Sequence, residues 1–292
     1  MFENPFSFPG KWYKANLHAH TTESDGDITP VDCATLYRQL GYDILAITDH
    51  RSVTDPPAHD GMLLIPGAEY HAGASAQGTH YHIVGLSLSS RGQTSYRPED
   101  GAQAIIDLIH ADGGEAFVAH PYWSGLMAAD ITPLRDCFAV EVYNTGCDIE
   151  ILRGYSMVQW DDLLTLGWYC GAVAVDDGHR HKFDHGGAWT MIKAEELSIP
   201  AVMAALRNGR YYSSIGPEIK DIQVMEDKIH IATSPVVSIA MVSTPGMGGR
   251  LQATAEELLT KAEFPRPQAS YCRVEICDAQ GQSAWSNPFL RG

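Results

Sequence analysis

Asn16-Leu17-His18-Ala19-His20-Thr21-Thr22-Glu23-Ser24-Asp25-Gly26 follows a short extended run, Trp12-Tyr13-Lys14-Ala15. Alternate side chains of a strand share a face, so His18 and His20 project together. Two neighbouring imidazoles can chelate one divalent metal. Asp25 follows across a polar, turn-prone segment and can fold back as an oxygen ligand. Such a mixed nitrogen and oxygen set suits Zn, Mn or Fe better than Ca or Mg, which take oxygen shells. Alone, a His-x-His on a strand is more often structural or exposed than metal-binding, and the rest of the chain raises the metal reading.

The chain alternates between buried strands and helices. Thr29-Pro30 reads as an N-cap with proline at the first helical position, opening a helix that Gly41 stops. Residues 43–48 form a short apolar run suited to a buried parallel strand, ending in Asp49-His50. After a polar, proline-rich loop over 51–60, a second strand over 62–68 delivers Glu69. A third, over 81–86, carries His80 and His82 at its start. Helical periodicity over 98–111 (Ala102, Ile105, Ile106, Ile109) stops at Gly113-Gly114. Strands over 115–119 and 137–143 end in His120-Pro121 and Asn144. A helix over 160–166 precedes a strand over 171–175 that ends in Asp176-Asp177-Gly178-His179.

Apolar strands therefore end repeatedly in metal-capable residues: His18/His20, His50, Glu69, His120 and Asp177/His179. In barrels of alternating strands and helices the strand C-termini converge on one face, where active sites form. Any one such histidine reads as an ordinary hydrogen-bonded residue, but five strand ends of one kind argue for a shared site.

Composition bounds the rest. A chain of 292 residues, 45% hydrophobic and 19% charged, is long enough for one large domain or a large and a small one without disulfide staples. A formal net charge of −16 argues against long nucleic acid and anionic membranes as partners. The six cysteines include no C-x-x-C pair, and most sit in apolar runs as reduced core residues. No secretion signal or membrane span is legible, and the expected location is cytoplasmic.

H-x-H with S-D-G, then T-D-H, a strand-borne Glu, H-x-V-G-L, A-H-P and D-x-H, in this order over residues 11–218, resembles the PHP (polymerase and histidinol phosphatase) family. Glu141-Val142-Tyr143-Asn144, Asp176-Asp177-Gly178-His179 and Tyr211-Tyr212-Ser213-Ser214-Ile215-Gly216-Pro217 resemble its carbaryl-hydrolase-like branch. The resemblance implies an α/β fold, a distorted (β/α)7 barrel, with two or three divalent metal ions (Zn, Mn or Fe). It also implies a metal-activated hydroxide attacking most often a phosphate ester. Matched to the family motifs, His18, His20, Glu69 and Asp177 hold one metal. Glu69 bridges to a second held by His82 and His120, and Asp25, His50 and His179 hold a third. His82 fits the family spacing, with His80 as a second candidate.

The chain departs from the family pattern at Arg51-Ser52, where Asp or Asn followed by Thr is usual. Arg51 is expected either to bind an anion beside the metals or to be a solvated loop residue. His179-Arg180-His181-Lys182-Phe183-Asp184-His185 is rich in cations just after a ligand-bearing strand. Arg180 and Lys182 are candidates to hold a phosphate or carboxylate, and His181 or His185 to protonate a leaving group; a polar loop is the plainer reading. Tyr122, Trp123, Tyr143 and Asn144 are expected to line the pocket, and Glu141 to support it or to form a structural ion pair.

Residues 1–218 are read as the hydrolase barrel and 219–292 as a small C-terminal antiparallel β domain, from short alternating segments and turns such as Pro245-Gly246 and Gln280-Gly281. This domain is expected to pack on the barrel or to join copies of the chain as a homo-oligomer. The favoured function is a metal-dependent phosphoesterase acting on a small anionic ester. The alternatives are a carboxylic or carbamic ester hydrolase with the same metals, and a metal-binding regulatory module without activity.

Overall fold

The computed structural model describes residues 2–89, 97, 99–180 and 183–290. Its first part runs β1 (Lys11–Asn16), α1 (Pro30–Gln39), β2 (Ile44–Ile47), β3 (Leu63–Ala72), β4 (Tyr81–Leu86), α2 (Ala102–Ala111), β5 (Glu115–Val118), α3 (Ala128–Ile131), β6 (Cys137–Asn144), α4 (Thr145–Ile151), α5 (Met157–Thr165), β7 (Gly171–Val175), β8 (Trp189–Ala194), α6 (Ile199–Arg207) and β9 (Tyr211–Ser214). Thr29 caps α1 as its sequence requires, its hydroxyl accepting from the Asp32 N–H at 3.2 Å. β2 is buried on both faces, which explains its unbroken apolar run. Ile44 and Ala46 pack inward with Leu17, Ile65 and Phe117, while Leu45 and Ile47 pack outward under Cys33, Ala34 and Tyr37 of α1.

The strands form one mixed sheet in the order β1-β2-β3-β4-β5-β6-β7. β1-β2-β3 and β5-β6-β7 are parallel, and β4 runs antiparallel between the two sets. Beyond the ends of β1 and β7 the chain pairs again at Ala19 and Gly178. There the Asp177 N–H donates to His18 O at 2.9 Å and the His20 N–H to Gly178 O at 3.0 Å.

The strict strand–helix alternation breaks at β3. No helix separates β2 from β3, and β3 turns back directly into β4. β3 also continues past Glu69 to Ala72, because its ladder with β4 extends to His71↔His82 and Ala72↔Tyr81. Glu69 is thus inside a strand, not at its end. The reversal explains why a residue near the start of β4 joins residues at the ends of the parallel strands.

The C-terminal strands are β10 (Ile219–Val224), β11 (Lys228–Val236), β12 (Ser238–Ser243), β13 (Gly248–Gln252), β14 (Leu259–Pro265), β15 (Tyr271–Cys277), β16 (Ser283–Ser286) and β17 (Phe289–Leu290). β10-β11-β14 form a separate antiparallel sheet. The order β13-β12-β15-β16 continues the large sheet, because β16 pairs with β9 and β9 pairs through β8 to β1. Ile222, Ile229, Ile239, Phe264 and Ile276 form the core between these layers. Among the described residues no helix is long and apolar enough to cross a membrane.

Candidate metal centre

At the C-terminal ends of β1, β2 and β5–β7 lies a cavity of about 830 Å³. At its floor is the Glu69 carboxylate, 1% exposed. Oε1 lies 2.7 Å from His82 Nδ1 and 3.1 Å from His120 Nε2. Oε2 lies 2.9 Å from His50 Nδ1, 3.4 Å from His20 Nε2 and 3.5 Å from His18 Nε2. One carboxylate therefore touches five imidazoles drawn from β4 and from beyond the ends of β1, β2 and β5.

Asp177 faces it. Its Oδ1 is 3.1 Å from His20 Nε2 and 3.2 Å from His18 Nε2. These two imidazole nitrogens are themselves 3.1 Å apart. On the open side Asp25 sits 3.3 Å from His50 Nε2 and 3.5 Å from His179 Nε2. His18, His20, Glu69 and Asp177 thus converge, as do Glu69, His82 and His120, and His20, Asp25, His50 and His179.

A second layer holds these side chains. Glu141 Oε1 accepts from His18 Nδ1 at 2.7 Å, while its Oε2 accepts from the His120 N–H at 2.7 Å and from Asn144 Nδ2 at 2.9 Å. Asn144 Nδ2 also donates to Asp177 Oδ2 at 3.1 Å, and Asn144 Oδ1 caps α4 at the Cys147 N–H. Asp49 ties the 21–24 segment down, accepting from the Thr21 N–H, Thr21 Oγ1 and Ser24 Oγ at 2.7–2.8 Å. Asp176 accepts from Thr145, from Tyr37 and from the N–H groups of Gly186, Gly187 and Ala188. His120 (φ 25°) and Asp177 (φ 52°) both occupy the left-handed region, a costly backbone state that clusters at functional sites.

The electrostatics follow from burial among opposite charges. Burial alone would raise the Glu69 carboxyl, but His82, His18 and His120 hold it well below the usual range. Burial disfavours a charged His18, yet Asp177, Glu141 and Glu69 outweigh it and push its pKa well up. His50 rises to about 10, burial being overcome by Asp25 and Glu69. His71 falls to about 4 through burial and the neighbouring charge of His82. Protons on His18, His20, His50 and His120, all raised, balance the carboxylates, whereas burial pushes His82 down.

The donor set fits divalent metal. Asp177 Oδ1 is buried and makes no hydrogen bond, although two imidazole nitrogens stand within 3.2 Å of it. A cation shared by these three atoms would satisfy all of them, and nitrogen with carboxylate oxygen is a set that Zn, Mn and Fe accept.

The remaining candidates fall in different places. His80 precedes β4, is exposed, and engages Gly73 O at 2.6 Å, away from the centre. Arg51 (φ 60°) donates from Nη2 to His71 Nδ1 at 3.1 Å. Arg180 lines the cavity, and its backbone N–H donates to Asp184. His181 and Lys182 lie outside the described residues. His185 is buried, 3.0 Å from Asp184 Oδ1 and against Gly178, so burial separates it from a leaving group. Trp123 lines the cavity and donates to Glu150 at 2.9 Å, whereas Tyr143 turns away to Asp148. Sequence reasoning missed His71, Cys147, Ile149, Glu150 and Phe183 among the lining residues. Alternation from Glu69 would have found His71, had β3 been read two residues further.

No protein-family model matches the chain. The uncharacterized protein MJ1587 of Methanocaldococcus jannaschii is 24% identical over 154 residues, spanning 49% of this chain and 82% of that protein. Among solved structures, a two-domain protein of Bacteroides vulgatus containing a predicted PHP-like metal-dependent phosphoesterase aligns over 100% of this chain and 99% of its own, with TM-score 0.55 and 16% identity. An amidohydrolase from Chromobacterium violaceum aligns over 68% of this chain and 96% of its own, with TM-score 0.41 and 15% identity. The likeness to the Bacteroides protein extends over both parts of the chain and concerns the fold.

Proposed function

We propose that the protein is a metal-dependent hydrolase, with a small phosphate ester as the favoured substrate. The observation that carries this reading is the Glu69 carboxylate held among five imidazoles beside the orphaned Asp177 oxygen. We read the seven-strand run closed by Ala19 and Gly178 as the distorted (β/α)7 barrel of the PHP family and its carbaryl-hydrolase-like branch, residues 1–218, with 219–292 as the appended β domain. The fold shared with the PHP-like Bacteroides protein supports this.

In this reading His18, His20, Glu69 and Asp177 hold one ion, Glu69, His82 and His120 a second, and Asp25, His50 and His179 a third. Bound there, the ions would supply Lewis acidity and bring the pKa of a water from about 15.7 toward about 7. Glu69 reaches both groups of imidazoles, and its charge would offset the repulsion between two cations held there. Glu141 holds the His18 ring by its Nδ1 proton, which leaves Nε2 free to coordinate. Arg180 at the cavity wall is placed to hold an anionic ester group.

One observation favours a neutral carboxylic or carbamic ester as the second reading. Among the described lining residues Arg180 is the one Lys or Arg, against Asp25, Asp27, Glu150 and Asp184. Hydrolysis of p-nitrophenyl phosphate beside p-nitrophenyl acetate, with Mn- and Zn-loaded protein and His120→Ala as control, separates the two. Phosphate turnover lost in the variant supports the phosphoesterase. Acetate turnover alone, also lost, supports the second reading, and no turnover of either with metal bound counts against both.

A further inference from the structure

Cys147 is set apart from the other buried cysteines. Cys33, Cys170 and Cys272 pack within apolar clusters. Cys147, 4% exposed, lines the cavity instead. A donor atom of His120, a carboxylate oxygen of Asp177 and the Cys147 sulfur lie within 4.8 Å of one another.

The fold fixes this placement. The first turn of α4 is joined to the end of β7: the Gly146 N–H donates to Asp176 O at 2.9 Å, and Asn144 bridges Asp177 to the Cys147 N–H. A Cβ at Gly146 would stand 2.8 Å from Asp177 O, so glycine is what lets the turn approach. Asp177, one of the three residues, keeps its Oδ1 buried and without a hydrogen bond, beside the His18 and His20 nitrogens at 3.2 and 3.1 Å.

We propose that Cys147 is a thiolate ligand to the metal at His120, so that the centre takes a nitrogen, oxygen and sulfur donor set. This rests on the metal-centre reading above and deepens it. A sulfur donor selects Zn or Fe over Mn, a choice the histidines and carboxylates leave open. Donors on one tetrahedral zinc stand roughly 3.5–4 Å apart, given bonds of about 2.1 Å to nitrogen and about 2.3 Å to sulfur. Donor atoms within 4.8 Å of one another would have to close by about 1 Å to share one such ion. In the metal-free protein burial and the carboxylates of Asp177, Glu141 and Glu69 keep the thiol protonated. A bound cation would reverse that local field, and the thiol proton would then pass to solvent.

The test uses the intact chain loaded with Co(II), then Zn(II), beside Cys147→Ser and Cys147→Ala. Metal per chain is counted first. The expected result is a near-ultraviolet thiolate-to-cobalt charge-transfer band, and in zinc X-ray absorption a sulfur shell at about 2.3 Å. Both vanish in the two variants while the histidine-held metal remains. Metal bound without band or sulfur shell in the unaltered protein overturns the thiolate and leaves the hydrolase reading standing. A band that persists in both variants overturns it too. Failure of the unaltered chain to retain metal removes the centre itself, and with it this ligand.

Discussion

Glu69 and Glu141 show how one residue type takes two tasks. Glu69 touches five imidazoles and, among the described residues, no backbone donor, as a shared ligand should; Glu141 accepts from a ring N–H, a backbone N–H and an amide, as a support should. Glu141→Gln is expected to keep the fold and weaken metal binding about 10–100-fold, as loss of such supports does. Titration against a competing chelator measures this, and unchanged affinity would refute the supporting role. The charge state sets a pH dependence as well. The elevated pKa of His50, about 10, means that in the metal-free protein it contributes stability below its ordinary value near 6.5, and this is lost as pH rises through about 10. Metal must displace such protons, so its affinity falls as pH falls. Chelator-stripped protein should therefore melt lower at pH 10.5 than at pH 7, while metal affinity should be weaker at pH 6 than at pH 8.

At the scale of the element, the 21–26 segment places the exposed carboxylate. Asp49 holds its start through Thr21 and Ser24, and Gly26 packs on the backbone of His20. A Cβ there would stand 2.6 Å from the His20 carbonyl carbon and oxygen. Because backbone cannot yield as a flexible side chain does, Gly26→Ala should cost about 1–3 kcal/mol and move Asp25 off His50 and His179. Metal analysis should then show fewer ions per chain, with His18, His20 and Glu69 still loaded; undiminished content would show that Asp25 binds none. The same segment shows why the site was legible. Each apolar strand is followed at once by a polar residue that a core cannot explain, so His18, His20, His50, His120 and Asp177 announce themselves. β8 was not legible. Its Ile192 and Ala194 pack in the apolar cluster around Leu17, Ile44 and Phe117 while Met191 packs under the C-terminal strands, so both faces are apolar and alternation is lost. β13, exposed throughout, pairs with β12 by backbone alone and leaves no pattern to read.

Across the whole molecule, the C-terminal strands are bound to the rest by more than the β9–β16 ladder. Arg273 of β15 is 1% exposed. Its guanidinium makes two hydrogen bonds to Asp161 of α5, at 2.8 and 2.7 Å, and one to Glu275 at 2.7 Å, and stands 4.8 Å from the Trp160 ring centroid. Nothing in the sequence pairs residues more than a hundred positions apart, which is why this contact could not be foreseen. Removing one partner of a buried pair leaves an uncompensated charge, at about 3–5 kcal/mol. Glu275 remains in Asp161→Ala and the Asp161 side chain is itself 31% exposed, so the cost falls below that range. Arg273→Met removes the charge together with its need for a partner and keeps much of the volume, so it should destabilise less than Asp161→Ala. Denaturant unfolding of both variants checks the order. Should Arg273→Met prove the more damaging, the stacking on Trp160, and not the ion pair, holds the C-terminal strands to α5.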